Sequence, residues 1–500
     1  MTPRKYRKSG LIAMAAVLCL ATPAWGQELS EWDAVRIALG ESPSQQAAAL
    51  DRRAADQSLE AAENERTPVF RAALGGGSDN SFGADAFGVA PNLDGNVNLD
   101  LGLGWQSAVG TSLDVGVSGS WSTRDSGRDS TDSNLDGFNS NYGAEASLRM
   151  TQPLLRGAGR DVGEARERAA RLEVTAAGHA FDATTSRLVS DVLSAYWELW
   201  YARETLAVDQ DALELARQQL DEAQVQVDTL GTMPRVDALR YASELASIEE
   251  ELAQAESDVR TRAVELGRLL GMTPEDAMEL RPVSTSPAHD VDVTLDEALD
   301  LARSQSSDVL QAQADVASAQ DRVVVARDAT LPRLDLTASV SLGGLWSDTS
   351  AAAGYQPNND LGVTGMVGLA LELPLGNGQA RAELAQARIR SDASELRLEA
   401  TERQVEAETV TAVERLETAR GGVELASRSV EIARELAQAE QEALRLGTTT
   451  TYQVLESQAS LRRTELRRLR ALVDQTKAAI SLQHLTGQLL PEYAELTGTL

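Results

Sequence analysis

The chain contains two copies of one unit, and any fold must accommodate both. Ala34-Val35-Arg36-Ile37-Ala38 recurs as Ala298-Leu299-Asp300-Leu301-Ala302, an offset of 264. The same offset pairs Asp51 with Asp315 and Pro68 with Pro332. Leu230-Gly231-Thr232 recurs as Leu446-Gly447-Thr448 at an offset of 216, which Gly271 and Gly487 share. Self-similarity at fixed offsets marks a duplicated supersecondary unit. The change of offset marks an insertion in the first copy. Most of it falls between Pro68 and Pro153, 85 positions apart, where Pro332 and Pro374 are only 42 apart.

Both copies read in the same order. A helix of some 35 residues comes first, at about 30–66 and 295–330, closed by Pro68 and Pro332. A glycine- and serine-rich stretch of alternating apolar residues follows. A very long helix comes next, at roughly 160–229 and 379–446. A glycine turn then leads to a further helix, ending near 270 and 486.

The alternating stretches predict β-strands. In Val97 to Leu103 every second residue is apolar, as in a strand with two different faces. Leu113, Val115 and Val117 repeat the pattern, and Val363 to Leu373 does so in the second copy. Such strands suit a barrel with one face to lipid and one to water. Trp105, Trp121, Tyr142, Trp346 and Tyr355 lie where an interfacial aromatic girdle would form. The insertion offers four strand-like stretches, at about 69–76, 95–105, 110–122 and 142–152. The middle two can join the sheet or fold over its surface. A surface hairpin is the expectation, because Asp100 and Asp114 would be costly against lipid.

The long helices carry apolar residues at alternating spacings of three and four. Leu213, Ala216, Leu220, Ala223, Val227 and Leu230 form one seam, and Leu245, Ile248, Leu252, Ala255 and Val259 another. Ile432, Leu436, Ala439, Ala443 and Leu446 repeat the first. Seams of this kind imply coiled-coil packing, and the short turns make antiparallel hairpins. From Pro153 to Gly231 a continuous helix would run roughly 110 Å.

The first residues read as a secretory signal: basic Arg4, Lys5, Arg7 and Lys8, an apolar core from Leu11 to Leu20, and small residues at Ala24 and Gly26. Cleavage between Gly26 and Gln27 is expected. Cys19, the only cysteine, lies inside that segment behind a bulky Leu18, which disfavours lipid attachment. The mature chain then has no thiol chemistry. No later apolar run is long enough for a membrane helix, so membrane entry would need a closed β-barrel.

The net charge of −30 argues against nucleic-acid partners. It fits either an organism-wide acidic composition or an acidic lumen. His179, His289 and His484 are scattered, and neither a metal-spaced cluster nor a nucleophile motif appears, so no enzyme, metal or cofactor is expected. Tyr196, Trp197, Trp200 and Tyr201 read as helix packing and Arg462, Arg463, Arg467, Arg468 and Arg470 as a solvated face.

This order of elements, repeated twice, resembles the TolC family of outer-membrane efflux proteins across essentially the whole mature chain. The carriers are Thr151-Gln152-Pro153-Leu154-Leu155-Arg156-Gly157, Leu373-Pro374-Leu375-Gly376-Asn377-Gly378 and the two turn segments. The implied fold is mainly α with a transmembrane β part: a long antiparallel coiled-coil α-barrel below a trimeric β-barrel. The division is a signal peptide at 1–26, repeats at 27–282 and 283–490, and a tail at 491–500. The resemblance implies a homotrimer embedded in outer-membrane lipid. It also implies a periplasmic adaptor (membrane fusion protein) and an inner-membrane transporter docked at the tips. Leu230, Gly231, Thr232, Leu446, Gly447 and Thr448 would form those tips. Glu456 and Asp237 would line the periplasmic entrance, with Gln453 where the family places a second carboxylate. A soluble periplasmic coiled-coil scaffold and an adaptor are the rival readings. The first leaves the alternating strands unexplained, and the second calls for one hairpin instead of two.

Overall fold

The computed structural model describes residues 28–85, 88–125, 138–231, 233–283, 291–348 and 362–493. The signal junction Gly26–Gln27, Thr232, His289 and Tyr355 lie outside them. The first copy runs β1 (Glu28–Leu29), α1 (Glu31–Glu41), α2 (Pro43–Asn64), β2 (Val69–Asp85), β3 (Gly88–Gln106), β4 (Ser112–Asp125), β5 (Phe138–Pro153), α3 (Arg160–Gly163), α4 (Ala165–Asp228), α5 (Arg235–Leu269), α6 (Pro274–Ala277) and β6 (Arg281–Pro282). The second runs α7 (Leu295–Gln305), α8 (Ser307–Asp328), β7 (Arg333–Asp348), β8 (Gly362–Glu372), α9 (Gly378–Arg445), α10 (Thr451–Leu485) and α11 (Leu489–Glu492).

The expected single helix at the head of each copy is two helices. Ser42 and Ser306 adopt extended backbone at the equivalent position and break the run. In the first copy Pro43 opens α2, where its missing N–H costs nothing. Each upstream helix is capped: the Ser30 hydroxyl accepts from the Asp33 N–H, and Thr294 and Glu297 form a capping box.

The long helices α4 and α9 have 64 and 68 residues, about 100 Å each. They fold back as hairpins with α5 and α10, which have 35 residues apiece. Helix α10 also packs on α4, so the two hairpins lie side by side with α5 and α9 outermost. Leu213, Ala216 and Ile248 close the first hairpin as expected. The second pairs differently. Val430, Ala433 and Ala437 are buried, while Ile432 and Leu436 point away from the chain. The Ile432–Leu446 seam is therefore not the hairpin seam; it is an outer face of α9.

The main core sits partway along the hairpins. Val35, Leu193, Tyr196, Trp197, Leu199, Leu266, Ile480 and Tyr493 are buried there together. The Tyr196 hydroxyl donates to the Leu29 carbonyl at 3.0 Å and accepts from the Val283 N–H at 3.3 Å, pinning the parallel β1–β6 pair. Tyr196 and Trp197 are thus packing residues. The arginine run is less solvated than expected. Arg462 is largely buried and reaches Glu251 at 2.8 Å, and Arg470 reaches Glu198 at 3.0 Å.

The six long strands form one antiparallel sheet in the order β2-β3-β4-β5-β7-β8. The hairpin expected on the surface is inside the sheet: β3 pairs with β2, and β4 with β5. The objection from Asp100 and Asp114 fails on periodicity. Both alternate with the apolar residues of their strands and so share the opposite face.

Candidate functional site

Two regions of the fold can do something beyond hold it together: the sheet and the helix tips. In the sheet, register aligns the apolar residues of all six strands. One cross-strand row runs Leu74, Leu99, Gly119, Ala144; another runs Phe70, Leu103, Val115, Leu148, Val340, Gly365. These side chains are uncovered, with Leu74 and Val367 76% and 77% exposed. Trp121 and Tyr142 are direct partners near one end of the band, and Trp105 and Met150 flank Leu113 near the other. The step from Leu113 to Trp121 rises about 27 Å along the strand, or about 21 Å of depth at a tilt of about 40°. That approximates the apolar band of a membrane barrel. The opposite face is polar. It presents Asn98, Asp100, Asp114, Ser118, Glu145, Ser147 and Arg149, with Arg71 3.6 Å from Asp114.

The second region lies at the far ends of the hairpins. Gly447 takes φ +71° and ends α9. Its N–H donates to the Leu444 carbonyl and the Thr448 N–H to the Ala443 carbonyl, both at 2.9 Å. That paired closure is a Schellman turn, which only a residue tolerant of positive φ completes without strain. Gly231 takes φ +60° at the equivalent position. Leu230 and Leu446 are exposed beside them.

Gln453 does not project freely. It completes a capping box with Thr450, and its amide oxygen accepts from the Thr449 hydroxyl at 2.5 Å. Asp237 lies in the first turn of α5, with no side-chain cap bond there, and pairs with Arg240 at 3.6 Å. Glu456 stands past the first turn of α10, exposed, 3.1 Å from Arg463. It caps nothing. Four side chains, which no sequence pattern connects, join the two tips. The Arg240 guanidinium lies 5.7 Å from the Tyr452 ring centroid, and Tyr241 shares a hydrogen bond with Thr451. Burial raises the Tyr241 phenol above its ordinary value, the Thr451 bond opposing. An aromatic residue a few positions beyond each turn was the available signal.

Among the described residues no acidic, histidine or cysteine group is arranged to hold a metal, and no helix is long and apolar enough to cross a membrane. His484 is a packing residue, its Nδ1 2.7 Å from the Ser186 hydroxyl.

Comparison with known proteins agrees with this geometry. Residues 298–488 match the family model described as outer membrane efflux protein. Protein CyaE of Bordetella pertussis is 27% identical over 223 residues, 44% of each chain. Nodulation protein T of Rhizobium leguminosarum bv. trifolii is 25% identical over 228 residues, 45% of this chain and 47% of that one. The alignments thus span less than half the length of these relatives. Solved structures match over nearly the whole chain. A membrane protein from Pseudomonas aeruginosa has a TM-score of 0.65 at 18% identity, covering 97% of both chains. CusC has 0.64 at 15%, covering 93% of both. The outer membrane protein VceC of Vibrio cholerae has 0.63 at 18%, covering 91% of this chain and 96% of that one. Residues 298–488, most of the second repeat, thus resemble the outer membrane efflux protein family, and the chain as a whole has the fold of CusC and VceC.

Proposed function

We propose that this chain is the outer-membrane channel of a tripartite efflux pump or type I secretion system, a conduit and not an enzyme. The observation that carries it is one sheet with an uncovered apolar face and a polar face, mounted on helices about 100 Å long. In water such an apolar face is a liability; in lipid it is the outer wall of a barrel. The sheet still has two edges, and an open edge is not viable in a bilayer. Copies of the chain must therefore close it, and a homotrimer is the assembly we assign. The helices then extend through the periplasm.

A periplasmic adaptor and an inner-membrane transporter dock at the tips, through Leu230, Gly231, Thr232, Leu446, Gly447 and Thr448. Glu456 and Asp237 contribute carboxylates to the entrance. Small molecules, metals or polypeptides are the cargo. The soluble scaffold and adaptor alternatives leave the uncovered apolar sheet without a purpose.

Fractionation tests the reading. The mature protein should appear in outer membranes as a heat-sensitive trimer, and deleting its gene should lower tolerance to exported compounds or stop export of a polypeptide. Recovery as a soluble periplasmic monomer would defeat it. Gly447→Val and Gly231→Val should reduce export without reducing trimer yield, because both glycines hold positive φ at the tips.

A further inference from the structure

The two copies of the repeat differ most in the sheet. In the second, β7 follows α8, pairs directly with β8, and β8 leads to α9. In the first, β2 follows α2 and β5 leads to α4, but β3 and β4 lie between them. The inserted hairpin spans 88–125 and accounts for most of the extra length between Pro68 and Pro153.

Its base is built into the fold. The turn at 107–111 takes Gly110 at φ +89°, and a Cβ there would stand 2.2 Å from the Gly157 carbonyl oxygen. The Gly159 N–H donates to the Val109 carbonyl at 3.3 Å. A Cβ on Gly163 would stand 1.9 Å from the Ala108 carbonyl oxygen. The Thr111 hydroxyl bonds the Gln152 side chain of β5. Four separate contacts thus hold the turn against the β5–α3 connection.

The helices beneath set a width against which the strand count can be compared. α2, α4, α8 and α9 are neighbours in that order, and they carry β2, β5, β7 and β8 in the same order. Four packed helices at about 9 Å cover roughly 36 Å of wall. Four strands spaced about 4.8 Å and tilted about 40° cover roughly 25 Å, and six cover roughly 38 Å. Six strands come closest to the width of the helical layer.

We infer that β3 and β4 are wall strands of the membrane barrel, so that each copy gives six strands and three copies close an 18-stranded barrel about 36 Å across. This rests on the channel reading above. The closing contact joins β8 of one copy to β2 of the next. β2 runs away from the helices and β8 runs toward them, so the alternation of an antiparallel sheet continues across the seam. The apolar faces of both edge strands, Phe70 to Leu74 and Val363 to Leu371, continue the lipid-facing band. A barrel of this size encloses an aqueous lumen of porin width. The outer-membrane section is then not the size filter, and selection by size falls to the periplasmic end.

Two measurements test the strand count. Electron cryomicroscopy of the purified assembly in lipid nanodiscs should show six wall strands per copy, and a variant lacking residues 86–128 should show four in a narrower barrel. Four per copy in the intact protein would overturn the inference while leaving the channel reading intact; absence of a membrane assembly would overturn the channel reading instead. Paired cysteines give the second readout in cells. Ser118→Cys with Glu145→Cys, partners across β4 and β5, should join through a short thiol crosslinker. Ala73→Cys with Ser147→Cys, held apart by β3 and β4, should not. The reverse pattern would mean that β2 pairs with β5 and that the hairpin lies outside the wall.

Discussion

Gly163 stands where the Ala108 carbonyl oxygen needs space, 1.9 Å from the position a Cβ would take. The Gly163 carbonyl also accepts from Arg66 at 2.7 Å, so the segment cannot easily retreat. Gly163→Ala should cost about 1–3 kcal/mol, as overpacking of a tight contact does. Gly178→Ala is the control: nothing lies within 4 Å of its Cβ position, inside α4. That change should be neutral or stabilising by up to about 1 kcal/mol. The heat-dissociation midpoint of the assembly should fall for the first variant and not for the second.

Glu198 is the buried hub of an ion cluster. Lys477, the only lysine beyond residue 8, bonds one carboxylate oxygen at 2.5 Å, and Arg470 bonds the other at 3.0 Å. Burial alone would raise the carboxyl, but these two partners outweigh it and hold it below its ordinary value. A lowered carboxyl gives stability that is full above the unfolded-state value and is lost as pH falls through the folded one. Lys477→Met leaves Glu198 half-paired and should cost about 2–3 kcal/mol, less than a fully buried pair because Arg470 is 40% exposed. Acid unfolding followed by circular dichroism should begin at higher pH in this variant.

His484 works in the same direction by a different cause. Burial lowers its imidazole below the ordinary value, with Asp308 opposing. The unfolded chain takes up the proton first, so folding loses stability as pH drops below about 6.5. The loss continues until the folded-state value is passed. His484→Asn can still bond the Ser186 hydroxyl but cannot titrate. Its stability curve should be flatter than that of the parent between about pH 7 and pH 5.

The long helices, the turns and the doubled plan were legible because each rests on local chemistry: heptad spacing, a glycine at positive φ, a repeat offset. The break at Ser42 was also legible, since Pro43 marks it, and only the duplicate at Ser306 lacks that sign. Placement of Asp100 and Asp114 needed nothing beyond period two; their charge misled where their alternation with Leu99, Leu101, Leu113 and Val115 decided. The outward turn of Ile432 and Leu436 was not legible. A heptad seam shows that a helix has an apolar partner, not which partner, and α9 has one in its own hairpin and another face left open. At the tips, Gln453 looked like a lost carboxylate but serves the N-terminus of α10, and Arg240 with Tyr452 joins segments 212 positions apart that no local pattern connects.

Charge at the entrance is a further test. Glu456 is exposed, caps no helix and faces Arg463. If Glu456 lines the entrance as proposed, its copies converge there and attract cations. Glu456→Gln should lower cation selectivity in planar bilayers and weaken block by divalent or trivalent cations, with trimer stability within about 0.5 kcal/mol of the parent, as for an exposed pair. Unchanged block would place the constriction elsewhere.

The hairpin that separates β2 from β5 gives the two halves of the chain unequal weight in the sheet, four strands against two, while the tips keep one glycine turn each. The duplication is therefore preserved at one end of the molecule and erased at the other. On the channel reading proposed above, a periplasmic partner docking at the tips would meet two near-equivalent handles on every chain, room for two partners per channel subunit. On the same reading, anything approaching from outside the cell would meet a surface on which that doubling has no counterpart, and would count only whole chains.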